Sequence, residues 1–283
     1  MKNFTIKQML DLGVHYGHDT RRWNPKMASY IFKTFNNVHI INLQKTAPLL
    51  YNALLQLKEV AAKGGRVLFV GTKRQASSIV KEYAEKCGQY YVNHRWLGGA
   101  LTNWKTISQS INTLVKLEEL INNNLGGYTK KEQLSFQREA DKLNLALGGI
   151  RNMGGLPNIL FVIDAKKETI AIEEATKLNI PVIAVVDTNG DPDKVTYPIP
   201  GNDDAIKAIN FYCELACEAI LEGLELEAKV TEVNKKSNEK TAVKKEPSED
   251  TNNKVSTEAN KVESKVISTN IDEAAEEKNI KSN

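Results

Sequence analysis

The chain has 283 residues, a length for about two domains or one large domain with an appendage. Hydrophobic residues make up 41% and charged residues 26%, which excludes wholesale disorder, and three cysteines (Cys87, Cys213, Cys217) exclude a disulfide framework or a cysteine-rich zinc fold. The net charge of +3 joins unlike parts: residues 1–110 carry 16 Lys/Arg against 5 Asp/Glu, residues 111–224 carry 11 against 17, and residues 225–283 carry 11 against 13, so a cationic first third points to a polyanionic partner.

From the N-terminus, residues 1–11 are polar and broken by charge, unlike a secretory leader. Residues 30–32 and 38–43 flank Asn36-Asn37 and predict a small hairpin. Residues 46–63 predict a helix stopped at Gly64-Gly65. Short apolar runs follow at 66–72 (RVLFVGT), 90–93, 158–164 (NILFVID) and 181–188 (PVIAVVDT), with 195–199 as a shorter fifth. They are apolar on both faces, as parallel strands covered by helices are, and far short of the roughly 20 residues that span a membrane. A soluble protein of a reducing compartment is expected. Helices predicted at 73–87, 166–178 and 203–221 alternate with the strands, giving right-handed crossovers and a doubly wound parallel α/β sheet. Functional loops then lie beyond the carboxyl ends of the strands.

About 60 residues separate the second and third of these strands, more than a crossover needs. Trp104, Ile107, Ile111, Leu114 and Ile121 keep a three-four spacing broken by Glu118. After Gly126-Gly127, Thr129 and Glu132 form a capping box, and Phe136, Ala140, Leu143, Leu147 and Ile150 repeat at four-three spacing. Two such seams predict an inserted antiparallel coiled-coil helical hairpin over residues 103–152, with arms of roughly 30 Å. Two ordinary helices packed on the sheet are the alternative. Its acidic residues (Glu118, Glu119, Glu132, Glu139, Asp141) suit a protein or solvent contact rather than RNA. Beyond residue 224 aromatic residues and apolar periodicity cease, which predicts a folded domain over 1–224 and a disordered tail over 225–283, with a transient helix at 271–280 at most.

The first strand–helix junction reads Val70-Gly71-Thr72-Lys73-Arg74-Gln75. One glycine before two cations matches neither Walker A nor the dinucleotide fingerprint, although the pair could hold one phosphate. Without a nucleophile elbow or a His-Glu-x-x-His helix, no catalytic residue and no organic cofactor are expected. A divalent metal is the one candidate. An N-terminal loop folded over the strand ends would bring His18 to Asp187, Asp203 and Asp204, a set of nitrogen and oxygen donors. Acidic loop residues more often form turns and caps, and Asp203 stands where the last helix begins. Cys213 and Cys217, one turn apart, read as core.

Nucleic-acid binding has more support. Residues 18–26 (HDTRRWNPK) and 93–105 (NHRWLGGALTNWK) both set Arg beside Trp, with Asn and Gly or Pro nearby. Arg21, Arg22, Lys26, Lys73, Arg74, Arg95 and Lys105 offer cations for phosphates. Trp23, Trp96 and Trp104 offer faces that stack on bases or fix the loops, with Asn103 beside them.

At these residues the chain resembles the family of the bacterial-type small-ribosomal-subunit protein S-two. Residues 9–18 (MLDLGVHYGH), 21–27 (RRWNPKM), 38–46 (VHIINLQKT), 67–76 (VLFVGTKRQA), 93–107 (NHRWLGGALTNWKTI) and 157–181 (PNILFVIDAKKETIAIEEATKLNIP) carry the resemblance in order, across 1 to about 223. Asn42 stands where the family has Asp, and the tail is not covered. The resemblance implies a flavodoxin-like parallel sheet, a protruding coiled-coil hairpin after its second strand, and no catalysis. It implies a place on the cytoplasmic ribosome, where head and body of the small subunit meet. Small-subunit ribosomal RNA and neighbouring ribosomal proteins would be the partners, among them the large RNA-binding protein S-one, whose docking it supports. A nucleotide-binding module using Gly71 to Arg74, or a free RNA-binding regulator, are the competing readings.

Overall fold

A computed structural model describes residues 4–123 and 127–242, and of residues 229–242 only the helical backbone. The chain enters through a short helix, α1 (Ile6–Asp11), opened by a capping box in which Thr5 and Gln8 bond each other's amides. Strand β1 (Tyr16–Asp19) follows, and then the predicted hairpin of β2 (Ile31–Phe35) and β3 (Val38–Ile41). Asn36 and Asn37 close it at φ 47° and 61°, the left-handed pair that a two-residue hairpin turn requires. β1 pairs with the other side of β3, giving an antiparallel sheet ordered β1-β3-β2. The sequence of β1, Tyr-Gly-His-Asp, has neither β-branched residues nor alternation, so periodicity does not reveal it.

Helix α2 (Leu43–Ala62) starts earlier than predicted because Asn42 caps it, its side chain accepting from the Gln44 amide at 3.0 Å. Asn and Asp cap almost equally well, so the departure from Asp costs this helix nothing noticeable. The remaining elements are β4 (Val67–Val70), α3 (Ser77–Lys86), β5 (Tyr90–Val92), α4 (Trp104–Asn122), α5 (Lys130–Leu147), β6 (Ile159–Ile163), α6 (Thr169–Lys177), β7 (Val182–Val186), β8 (Tyr197–Pro200) and α7 (Ile206–Ala242). The five strands β5-β4-β6-β7-β8 form a sheet in that order, parallel throughout. Alternate residues feed two cores. Phe69, Phe161 and Ile183 meet Leu50, Leu57, Val80 and Tyr212 on one face, and Leu68, Val70, Leu160 and Val162 meet Ala171 and Ile172 on the other.

The insert consists of two helices, α4 and α5, whose apolar residues divide between two clusters. Ile107, Ile111, Leu147 and Ile150 join the sheet-side core, whereas Leu114, Leu117 and Ala140 form a separate cluster with Ile121, Phe136 and Leu143. The capping box of Thr129 and Glu132 opens α5. At 1.5 Å per residue the arms are about 28 Å long.

The last helix departs from expectation at both ends. It begins at Ile206 rather than at Asp203, and the turn leading into it is held by Asn202, whose Oδ1 accepts from the amides of Asp204 and Ala205 at 2.8 and 3.2 Å. Downstream, no Pro or Gly interrupts residues 224–242, and Glu, Leu, Ala and Lys carry the helix past the predicted boundary. The described residues up to Asn234 form one compact unit. Residues 243–283 of the predicted tail, including 271–280, lie outside the described residues. Among the described residues no helix is long and apolar enough to cross a membrane.

Candidate nucleic-acid interface

Because the five strands run parallel, the loops that follow them gather at one edge of the sheet. The N-terminal sheet is fastened to that same edge. The His18 amide donates to Thr188 Oγ1 at 2.9 Å and the Asn24 amide to the Thr188 carbonyl at 2.7 Å. Asn202 donates from its backbone to Val14 and from its side chain to Gly13, both at 3.0 Å, and Thr46 Oγ1 donates to the Pro200 carbonyl at 2.7 Å. Gly17 allows this approach, since a Cβ there would lie 2.5 Å from Thr188 Cγ2.

In the first basic segment, Asp19 Oδ1 accepts from the Arg21 amide at 2.8 Å and makes a single 3-10 turn. Asn24 then caps a second turn opened by Pro25, accepting from the Lys26 amide at 3.1 Å. Arg21 and Arg22 are exposed and their side chains pair with no acid among the described residues. Trp23 is 39% exposed, its ring centroid 5.3 Å from that of His39. Lys26 differs: its Nζ lies 2.9 Å from both Asp191 and Asp193, so its charge is already matched at the surface.

In the second segment one buried carboxylate organises the loop. Glu174, on α6, accepts at Oε1 from Trp96 Nε1 (3.1 Å) and the Gly99 amide (2.7 Å). Its Oε2 accepts from the amides of Leu101 (2.9 Å) and Thr102 (3.1 Å) and from Thr102 Oγ1 (3.2 Å). Burial pushes the Glu174 pKa up, but these donors outweigh it and hold the carboxyl below its ordinary value. Trp96 is therefore a buried anchor of the loop rather than an open stacking face, and Trp104 is half-buried against the sheet-side core. Asn103 accepts from Thr106 Oγ1 at 2.9 Å at the start of α4. Arg95 and Lys105 are exposed and unpaired among the described residues. A glutamate on a helix carries no mark of such a role. The only signal in the sequence is a Trp-Gly loop in need of an acceptor.

The junction after β4 is closed to an incoming phosphate. The Thr72 amide and hydroxyl both donate to Glu168 Oε1, at 3.0 and 2.5 Å, and Lys167 Nζ donates to the Thr72 carbonyl at 3.0 Å. A carboxylate thus stands on the amide that a nucleotide would need. Lys73, expected on a phosphate, turns inward instead: its Nζ lies 2.8 Å from Asp203 Oδ1, 2.5 Å from Asp204 Oδ1 and 3.5 Å from Asp164 Oδ2, with the side chain 14% exposed. Burial lowers its pKa, but the bonds to Asp203 and Asp204 outweigh that and raise it overall. Arg74 alone of the pair remains exposed and unpaired among the described residues.

Next to Lys73 the four candidate metal ligands do come together. His18, Asp187, Asp203 and Asp204 each offer one donor atom, all within 4.8 Å of one another. His18 Nδ1 lies 2.8 Å from Asp187 Oδ2 and Nε2 lies 3.5 Å from Asp204 Oδ2. The bond to Asp187 raises the His18 pKa, while burial and the charges of Asp164 and Asp187 push the Asp203 carboxyl up to about 7. The three cysteines are buried and unbridged.

Residues 9–223 match the family described as Ribosomal protein S2. The chain belongs to that family. It is 59% identical over 228 residues to the "Small ribosomal subunit protein uS2" of Paramagnetospirillum magneticum, covering 80% of this chain and 86% of the relative. The protein of the same description from Rhodospirillum centenum is 61% identical over 225 residues (79% and 86%), and that of Sinorhizobium medicae 58% over 224 residues (79% and 88%). Members of this family are ribosomal proteins and not enzymes, in keeping with the closed junction after β4. The match takes in both basic segments, Glu174 and the His18 cluster, and ends where the composition changes.

Proposed function

We propose that this chain is a structural constituent of the small ribosomal subunit, acting in translation on the cytoplasmic ribosome. It binds small-subunit ribosomal RNA through Arg21, Arg22, Arg74, Arg95 and Lys105, with the Trp23 face beside them. Lys26, Lys73, Trp96, Asn103 and Trp104 fix the loops that carry these groups. The observation that supports this is a set of unpaired guanidinium groups on one edge of a rigid sheet, in a chain of this family. The strand order β5-β4-β6-β7-β8 supports a flavodoxin-like description, and the two-part seam of α4 and α5 supports a coiled-coil insert over 103–152 within a domain over 1–224.

Neighbouring ribosomal proteins, including S-one, dock on apolar surface. Ile6, Leu10, Tyr16, Phe32 and Phe35 are exposed around one groove between α1 and the hairpin, Phe32 at 66% and Phe35 at 59%. Such a patch in an otherwise charged N-terminal part suits a protein partner better than RNA.

The test is co-sedimentation of the full chain with small subunits, combined with the salt dependence of its binding to small-subunit ribosomal RNA. Replacing Arg21, Arg22 and Arg95 together by Ala is expected to lower the slope of log K against log salt by about 2 to 3 and to reduce incorporation. An unchanged slope, or migration of the wild-type chain outside the subunit fraction, overturns the assignment.

A further inference from the structure

We propose that the pocket between α6 and the loop after β7 takes one pyrimidine base of a single-stranded stretch of RNA, with Asn189 reading the edge of the base. This rests on the RNA-binding assignment above and deepens it, adding base recognition to a surface whose other contacts are to phosphate.

The pocket has a volume of about 150 Å³ and lies past the carboxyl ends of β6 and β7, which are neighbours in the sheet. Its size is the first support. A cavity of this volume accepts one six-membered aromatic ring, whereas a purine carries a second ring fused to the first. The lining suits a flat base as well. Ala165 and Ile172 are buried and give apolar contact, and Asn24, Thr169 and Asn189 supply a few polar groups.

The second support is the hydrogen bonding of that lining. Asn189 Oδ1 is buried and has no hydrogen-bond partner. The turn that carries it is fixed. The Gly190 amide donates to the Asp187 carbonyl at 2.9 Å, and Thr188 Oγ1 holds the His18 amide. Gly190 packs so closely on Val186 that a Cβ would lie 2.7 Å from its Cγ1. A buried acceptor left bare is unfavourable, and the imino N–H of uracil or the amino group of cytosine relieves it. Asn24 commits its Oδ1 to the Lys26 amide at 3.1 Å, which leaves its Nδ2 to donate to a base carbonyl.

The third support is what surrounds the pocket. Lys166 is exposed and pairs with no acid among the described residues, while Lys194 lies 3.2 Å from Glu173. Asp191 brings a carboxylate to the lining, but Lys26 neutralises it at 2.9 Å. Arg22 and Trp23 are exposed and immediately precede Asn24, so a strand that meets them has reached the pocket. That continuity favours a base within RNA, splayed out of its stack, over a free nucleotide.

The experiment uses the full chain, irradiated with oligouridylate carrying 4-thiouridine, with cross-links mapped by mass spectrometry. Filter binding of oligouridylate, oligocytidylate and oligoadenylate of equal length is measured alongside. Cross-links to Asn24 or to residues 189–194 are expected, with a preference of about fivefold or more for the pyrimidine strands. Asn189→Ala is expected to abolish that preference and leave the salt slope unchanged. Lys166→Ala is expected to weaken all three strands alike and to lower the slope by about 1. Should Asn189→Ala fail to fold, the wild-type cross-link decides. Cross-links confined to other residues, or a preference that survives in folded Asn189→Ala, overturn the proposal. Uridine monophosphate that displaces the cross-link as well as oligouridylate does would show a free-nucleotide site and overturn it too. Binding with an ordinary salt slope and no pyrimidine preference overturns the pocket alone, whereas no binding of any strand at low salt overturns the RNA-binding assignment with it.

Discussion

Glu174 holds five donors with two oxygens, and all five belong to the loop between β5 and α4. Removing the carboxylate leaves a buried indole N–H and several backbone amides without acceptors. Glu174→Ala is therefore expected to cost about 3 kcal/mol in urea denaturation and to free the Arg95 loop. The pH dependence follows from the direction of its shift. A carboxyl held below its ordinary 4.5 contributes stability that is complete above that value and is lost as pH falls through the folded one. The stability gap between wild type and Glu174→Gln is thus expected to be full at pH 6 and to close under acid conditions; a gap that widens on acidification refutes the assignment. At this scale the sequence was only half legible. Arg21, Arg22, Arg74, Arg95 and Lys105 could be found as cations beside tryptophans and remain exposed. Lys73 has the same appearance in sequence, but three aspartates from distant loops draw it inward.

Among the elements, the parallel strands were the most legible because burial on both faces leaves an unbroken apolar run, and β4, β6 and β7 are buried at every position. β1 and α1 were not, since each is held by partners far away in sequence rather than by its own composition. The insert shows how an element can combine two kinds of stability. Its inner half shares the sheet-side core and its outer half rests on Leu114, Leu117 and Ala140. Leu114→Asp is expected to raise amide exchange in the described parts of the outer half by at least tenfold while β6 and β7 keep their protection. Simultaneous loss of protection in the strands would mean that the insert and the sheet unfold as one.

At the scale of the molecule, the unpaired cations of the two basic segments and the exposed aromatics of the hairpin form separate surfaces: Phe32 and Phe35, with Lys33 between them, lie beside α1. Phe32→Ala with Phe35→Ala is expected to weaken S-one docking by tenfold or more while leaving ribosomal RNA affinity within twofold, measured by pull-down and filter binding on the same preparations. Equal losses in both assays would show a single shared surface. The sequence hinted at this division through its charge asymmetry and its hairpin, but the groove also needs α1 and β1, which periodicity did not reveal.

The bonds from His18 and Asn24 to Thr188 close a span of some 170 residues. On a translating polysome, synthesis at 5–20 residues per second separates the emergence of these partners by about 10 to 30 s. Throughout that interval the nascent amino-terminal segment has no sheet edge to dock on, and Phe32 and Phe35 emerge well before it. Maturation of this chain is consequently paced by its own elongation, and the earliest residues made are among the last to find their seats.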